Sequence, residues 1–196
     1  MTFLVLRAHD RPASPWKNGG GTTRQIAVFP EDAGLADFDW RVSLATVAAA
    51  GPFSTFPGVD RLMLVLSGRL TLDMAGVSPV TLDGASPPFA FPGDAPVSAL
   101  VPAAPVTDVN VMVRRERFTA RLERRRIAGT AAVVSQDVTL ILCRVGGVAV
   151  ALATHADELG AWDVARIEGA RGALIRLRSA APADLVVVHV NAVRPQ

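Results

Sequence analysis

Hydrophobic and polar side chains alternate along many short segments of this chain. Segments 40–45 and 108–113 place hydrophobic residues at every second position, and segment 185–190 also divides into two alternating sets. Successive side chains of a β-strand point to opposite faces, so a period of two is typical of strands. The 14 prolines and 16 glycines separate these segments, as turns between antiparallel strands do. The pattern predicts an all-β sandwich or barrel, with one short helix at residues 154–159.

Three landmarks occur twice in the same order: a hydrophobic run that ends in glycine, a turn and a valine-rich strand. They lie at residues 62–68, 91–94 and 109–113, and again at residues 140–147, 167–169 and 185–190. The offset stays at roughly 76 to 79 residues, the steady period expected of a duplicated unit.

The repeat predicts two fused β-barrels. An N-terminal barrel over residues 1–115 is expected to carry the functional site, and residues 116–130 are expected to form a connector. The C-terminal barrel covers residues 131–196, and strands from the N-terminus could also pair with it.

Composition excludes several classes of protein. Half of the residues are hydrophobic and 19% are charged, which excludes wholesale disorder. The most apolar stretch, residues 97–106, contains Pro102 and Pro105 and is too short to cross a bilayer. Residues 3–6 are too few for a signal peptide, and Cys143 is the single cysteine. We therefore expect a cytoplasmic protein with no membrane partner.

The charge pattern gives no sign of nucleic-acid binding. The net charge is +2, and the arginine-rich segment 114–126 is interrupted by Glu116 and Glu123. Its one aromatic residue, Phe118, is too little for a stacking platform, so a solvated connector is expected. Lys17 is the only lysine among 20 basic residues. A retained ammonium in an arginine-rich chain is a candidate functional group, because its pKa falls readily on burial.

Four segments carry unusual residue combinations in the first 115 residues. They read WKNGGGTT at 16–23, FDWRVSLA at 38–45, GPFSTFPGVDR at 51–61 and DVNVMVRR at 108–115. In this order and spacing they resemble the HutD/Ves family of bacterial bicupins, whereas the second half resembles it only in pattern. The resemblance implies two double-stranded β-helix (cupin) barrels and a link to histidine utilisation. Gln25 departs from the glutamate of the family pattern, which puts a carboxylate role there in doubt.

Metal-binding cupins use a His-x-His pair, a nearby glutamate and a later histidine. The matching turn at residues 56–60 has no histidine, and Asp94 follows the later Pro-Gly turn. His9, His155 and His189 are scattered over different segments, whereas transition metals need converging ligands. The sequence predicts no metal and no cofactor, with His189 packed on or beside a sheet.

The candidate ligand-binding residues come from one loop and three strands. Successive glycines suggest a positive φ or a close backbone approach, and their amides could form an anion-binding nest. On the strands, a polar face points either to solvent or into a barrel lumen, and both interpretations stay open. Asp108 and Met112 share such a face with the candidate Asn110. The candidates are Lys17, Asn18, Gly19, Gly20, Arg41, Ser43, Arg61 and Asn110.

Three functions are compatible with these residues. The first is a metal-free bicupin whose cations bind a small carboxylate for sensing or buffering rather than turnover. The family resemblance suggests urocanate or formylglutamate as this ligand. The second is a metal-independent isomerase or epimerase with Lys17, Asp60 or Asp94 as the base. The third is an interaction module, because the many valines and alanines are compatible with a homodimer. No catalytic residue is assigned.

Overall fold

A computed structural model describes residues 1–103 and 105–194 of the chain. Within these residues the secondary structure consists of strands and one short 3-10 helix at Ala8–Asp10. The strands are β1 (Thr2–Leu6), β2 (Ser14–Pro15), β3 (Gly21–Phe29), β4 (Trp40–Val47), β5 (Gly51–Pro52), β6 (Val59–Ser67), β7 (Arg69–Met74), β8 (Val77–Asp83), β9 (Phe89–Pro92), β10 (Val97–Leu100), β11 (Val106–Arg114), β12 (Phe118–Val134), β13 (Val138–Val145), β14 (Val148–Leu152), β15 (His155–Leu159), β16 (Val164–Glu168) and β17 (Leu174–Ala192). The predicted all-β class is confirmed.

The chain divides into two compact units. Residues 12–118 form the first unit, and residues 1–11 form the second unit together with the chain from Thr119 onwards. Among the described residues, no helix is long and apolar enough to cross a membrane.

Two sheets enclose the core of the first unit. One has the strand order β2-β3-β4-β11-β6-β9 and the other β5-β10-β7-β8. Met63 and Val65 of the larger sheet pack in one hydrophobic cluster with Leu70, Leu72 and Val97 of the smaller sheet. Burying these inner faces against each other is the main stabilisation available to such a sandwich.

Strand β11 sets the register of the larger sheet, because it pairs antiparallel with β4 on one side and β6 on the other. Asn110 lies opposite Ser43 and Met63, and Met112 lies opposite Arg41 and Arg61. Residues paired across neighbouring strands share a face, so the polar residues of three strands meet on one side of this sheet.

The second unit is built on a seven-stranded sheet. Its order is β1-β16-β13-β17-β14-β15, and β12 also pairs with β17. The N-terminal strand β1 joins the sheet by pairing antiparallel with β16. Fully buried side chains such as Ile141, Val150 and Ile175 form the core of this unit.

Two segments differ from the prediction. In the segment 154–159, expected as a helix, His155–Leu159 form strand β15, because Leu152 pairs with His155 across a tight hairpin whose Ala153 has a φ of +53°. A six-residue segment is also too short to sustain a helix without tertiary support. The expected connector at 116–130 lies mostly in β12, where Leu122 and Ile127 are buried.

Two glycine turns have matching surroundings in the two units. Gly68 and Gly146 have φ of +81° and +89°. A Cβ on Gly68 would lie 3.1 Å from the carbonyl oxygen of Pro105, and one on Gly146 would lie 3.1 Å from that of Pro182. Both turns therefore require glycine for the same reasons. The internal repeat itself stays a prediction.

Candidate functional site

A cavity of about 520 Å³ opens in the first unit. Its walls are the polar face shared by β4, β6 and β11, and its mouth is formed by segments 14–18 and 52–56. The sequence left open whether this polar face meets solvent or the lumen, and the structure places it in the lumen. Six of the predicted residues line the cavity: Lys17, Asn18, Arg41, Ser43, Arg61 and Asn110.

Gly19 and Gly20 do not line the cavity. The N–H of Gly19 donates to the Trp16 carbonyl over 3.0 Å, and the N–H of Gly20 donates to Asn18 Oδ1 over 3.0 Å. Both amides are therefore engaged within the loop, which leaves neither of them available for the expected anion-binding nest. Gly19 does adopt a positive φ of +71°.

The third glycine provides the predicted close approach. A Cβ on Gly21 would overlap the carbonyl oxygen of Thr46 and lie 3.2 Å from the Trp16 ring. The indole N–H of Trp16 donates to Thr23 Oγ1 over 2.7 Å, and its ring packs edge-on against Phe53. This packing orients Trp16, and the neighbouring Lys17 and Asn18 then stand exposed at the mouth of the cavity.

Arg61 is the most enclosed cation of the site, with 7% of its surface exposed. Its guanidinium carbon lies 4.8 Å from the centroid of Phe91, 5.3 Å from that of Phe53 and 5.9 Å from that of Phe56. Aromatic faces stabilise a cation that has lost its water. Burial lowers the pKa of Arg61 to about 10, with Asp108 opposing and Arg41 adding to the change, so the side chain stays charged at neutral pH.

Arg41 lies on β4, on the opposite side of Met112 from Arg61, and is partly buried. Its Nε donates to Gln25 Oε1 over 3.1 Å, and burial lowers its pKa. Gln25 supplies an acceptor but no negative charge. The positive charge of Arg41 is therefore held in place without being neutralised by this contact.

Asp108 is a buried cavity residue that the candidate set omitted. It lies opposite Ala45 and Val65, is fully buried, and lines the cavity. Burial raises the pKa of its carboxyl to about 7, although the charge of Arg61 opposes this. The alternation that singled out Asn110 also puts Asp108 on the same face. The sequence could not show that this position is completely enclosed.

Four polar atoms in this wall have no hydrogen-bond partner among the described residues. They are Oδ1 and Oδ2 of Asp108, Oδ1 of Asn110 and Nε of Arg61. Buried polar groups are nearly always satisfied, and an unsatisfied group at a cavity is a common feature of a binding site.

The two carboxylates expected as alternative bases lie elsewhere. Asp60 pairs with Nε of Arg115 over 2.9 Å, and Asp94 pairs with Nη2 of the same arginine over 2.5 Å. Arg115 and the N–H of Gly58 lower the pKa of Asp94. Neither carboxylate lines the cavity, because alternation along β6 turns Asp60 away from the face that carries Arg61.

The histidines and the cysteine lie outside the first unit. His189 Nδ1 lies 3.1 Å from Thr139 Oγ1, and burial lowers the pKa of this imidazole. Burial also raises the pKa of the Cys143 thiol to about 11, which disfavours the thiolate. Across residues 1–103 and 105–194, no group of three or more metal-ligating side chains converges.

This architecture, a β-barrel with a polar cavity in one unit, defines the chain as a cupin-like protein. An oxalate decarboxylase from Lactobacillus farciminis has a similar fold, with a TM-score of 0.72 and 10% identity over 98% of this chain and 87% of its own. AerE from Microcystis aeruginosa is similar with a TM-score of 0.69 and 11% identity over 92% of this chain and 97% of its own. At such identities the likeness concerns the fold alone.

The chain belongs to the HutD family, whose model matches residues 8–186. A 21.2 kDa protein in the hutC 3' region of Pseudomonas putida is 36% identical over 84% of this chain and 86% of its own. The conserved protein PA5104 from Pseudomonas aeruginosa PAO1 has a TM-score of 0.90 and 33% identity, over 97% of this chain and 100% of its own. HutD from Pseudomonas fluorescens SBW25 has a TM-score of 0.83 and 30% identity, over 98% and 100%.

Proposed function

We propose that the first unit binds a small carboxylate in its cavity. The observation that carries this proposal is the pair of guanidinium groups, Arg41 and Arg61, on either side of Met112. Neither forms an ion pair with a carboxylate of the described residues, and Lys17 adds a third cation at the mouth.

Asp108 attracts Arg61 but forms no ion pair with it, and burying a guanidinium without a paired counter-ion is unfavourable. A ligand carboxylate would supply the missing charge, and arginine binds this group through two parallel hydrogen bonds. The cavity volume of about 520 Å³ lies within the usual range for small-molecule sites. The three phenylalanines around Arg61 would hold its guanidinium in position before the ligand arrives.

Urocanate and formylglutamate are the first ligands to test, because the relatives include HutD from Pseudomonas fluorescens and a protein of the hutC region. We propose sensing or buffering of such an intermediate rather than turnover. In support of this role, no histidine belongs to the first unit, so the cavity lacks the serine-histidine pair of a hydrolase.

Isothermal titration calorimetry with Arg41→Gln tests the proposal. The wild type should bind urocanate or formylglutamate, and the variant should bind about 10- to 100-fold more weakly, as expected for loss of a hydrogen bond to a charged group. Arg24→Gln is the matched control, because Arg24 is exposed on the neighbouring strand β3 and does not line the cavity. The proposal fails if both variants bind like the wild type, or if the wild type binds neither ligand at millimolar concentration.

A metal-independent isomerase or epimerase is the second candidate function, and Asp108 favours it. A buried carboxyl whose pKa is about 7 can accept and release a proton at neutral pH. If the protein moves protons, it should catalyse exchange of a ligand C–H for deuterium in D₂O, observed by proton NMR. Asp108→Asn should abolish that exchange, and Lys17→Arg should abolish it only if Lys17 is the base. A binding protein gives no exchange.

A further inference from the structure

The unsatisfied atoms of the cavity are mostly acceptors. Asp108 contributes two carboxylate oxygens and Asn110 one amide oxygen, with side chains adjacent on the inner face of β11. Both residues are more than nine-tenths buried. A carboxylate ligand brings further acceptors, so it cannot satisfy Asn110 Oδ1 or the ionised form of Asp108. Something else in the ligand must donate hydrogen bonds here.

Acceptors and cations occupy different ends of the wall. Asp108 lies opposite Val65, whereas Arg61 lies opposite Met112, four residues further along β11. Residues of one face repeat every two positions, so about 7 Å separates successive rows and about 13 Å separates Asp108 from Met112 along the strand. The charged groups are closer than these backbone rows, because the charges of Arg61 and Asp108 affect each other's pKa. A ligand of a few bonds' length then reaches from the guanidinium groups to Asn110 and Asp108.

The number of acceptors points to nitrogen as the donor. A hydroxyl or a secondary amide donates one hydrogen bond, whereas an imidazolium donates two and an ammonium three. With Asp108 ionised, the three unsatisfied oxygens call for several donors in one place. A protonated nitrogen would in addition form an ion pair with Asp108, the strongest kind of hydrogen bond available in this wall.

We propose that the ligand is a carboxylate that also carries a basic nitrogen group, and that Asp108 with Asn110 recognises this group. The inference rests on the proposed function and deepens it, because the cationic end would hold the carboxylate and the acceptor end would hold the nitrogen. It ranks an imidazole-bearing acid such as urocanate above an amide such as formylglutamate.

Matched pairs of probes separate the two ends. Urocanate and 3-(2-furyl)acrylate have the same shape, but the furan has no N–H; glutamate and glutarate differ only in the ammonium group. Calorimetry on the full chain should show the nitrogen-bearing member of at least one pair binding about 10- to 100-fold more tightly, since a site built around hydrogen bonds rejects an analogue that leaves them unmade.

Asp108→Asn should reduce that preference to within about threefold while the furan or glutarate keeps its affinity. Asp73→Asn, an exposed carboxylate on β7, is the matched control and should leave the preference intact. Melting temperatures and circular dichroism show that both variants are folded.

The outcomes separate this inference from the proposed function. If both members of each pair bind wild type equally, or if only formylglutamate binds, the carboxylate site stands and the nitrogen-recognition inference is overturned. It is also overturned if Asp108→Asn keeps the full preference. If the wild type binds neither these four probes nor formylglutamate, both proposals are refuted.

Discussion

Replacing Asp108 by asparagine should stabilise the free protein at alkaline pH. The carboxyl is completely buried and its pKa is raised to about 7, against an ordinary value near 3.8. Asparagine has nearly the same shape but never ionises, so it removes the unfavourable burial of a charge.

The sign and size of this stability difference between Asp108→Asn and wild type follow from proton linkage. The folded protein holds the Asp108 proton up to about pH 7, whereas the unfolded chain loses it near pH 4. The Asp108 carboxyl therefore lowers the free energy of unfolding of the wild type as the pH rises through this interval. Above the interval, the contribution of Asp108 no longer changes with pH. A difference of about three pKa units corresponds to about 4 kcal/mol at pH 8 and to almost nothing below pH 4.

Urea unfolding of wild type and Asp108→Asn, at steps of half a pH unit from pH 4 to pH 8, measures this difference in the free energy of unfolding. The difference in free energy of unfolding should shift in favour of the variant by about 4 kcal/mol over that range, with a slope near 1.4 kcal/mol per pH unit. Other ionisable groups contribute equally to both proteins and cancel in the difference. Asp73→Asn, in which an exposed carboxylate is lost, should give a flat difference. A flat difference for Asp108→Asn as well would refute the reasoning.

Three further predictions concern the same two units. Arg61→Met should keep the contacts with the phenylalanines and equal or exceed wild type in thermal stability, yet lose carboxylate binding in calorimetry; a large fall in melting temperature would contradict this. Gly21→Ala should destabilise the fold by several kcal/mol in urea unfolding because its Cβ overlaps Thr46, whereas Gly51→Ala, whose Cβ meets open space, should cost less than about 1 kcal/mol. Cys143, buried and with its pKa raised to about 11, should not react with a thiol reagent at pH 8 until the protein is unfolded, and rapid labelling of the native protein would be the opposite result.

Local alternation explains which features the sequence could predict. A period of two is a property of single strands, so it identified the all-β class and the shared face of Arg41 and Ser43 without knowledge of the partners. The same rule placed Asp108 beside Asn110. Alternation could not show that Asp108 is more deeply buried than Asn110, because the complete burial of Asp108 depends on the strands paired on both sides of β11.

The structure departs from what local sequence suggests where distant residues decide the outcome. Asp60 and Asp94 are candidate bases by residue type, but Arg115, far along the chain, holds both in ion pairs. The glycine amides were expected to face a ligand, yet the carbonyl of Trp16 and the side chain of Asn18 accept their hydrogen bonds. Segment 154–159 is too short for its local pattern to distinguish a helix from a strand. Pairing with β14 in a hairpin makes it a strand.

A crystal structure of the protein grown with saturating urocanate tests the central claim most directly. Density for the carboxylate between Arg41 and Arg61, with the imidazole turned towards Asp108, is the predicted result. An ion pair formed directly by Arg61 and Asp108, with the ligand bound elsewhere or not at all, would contradict it.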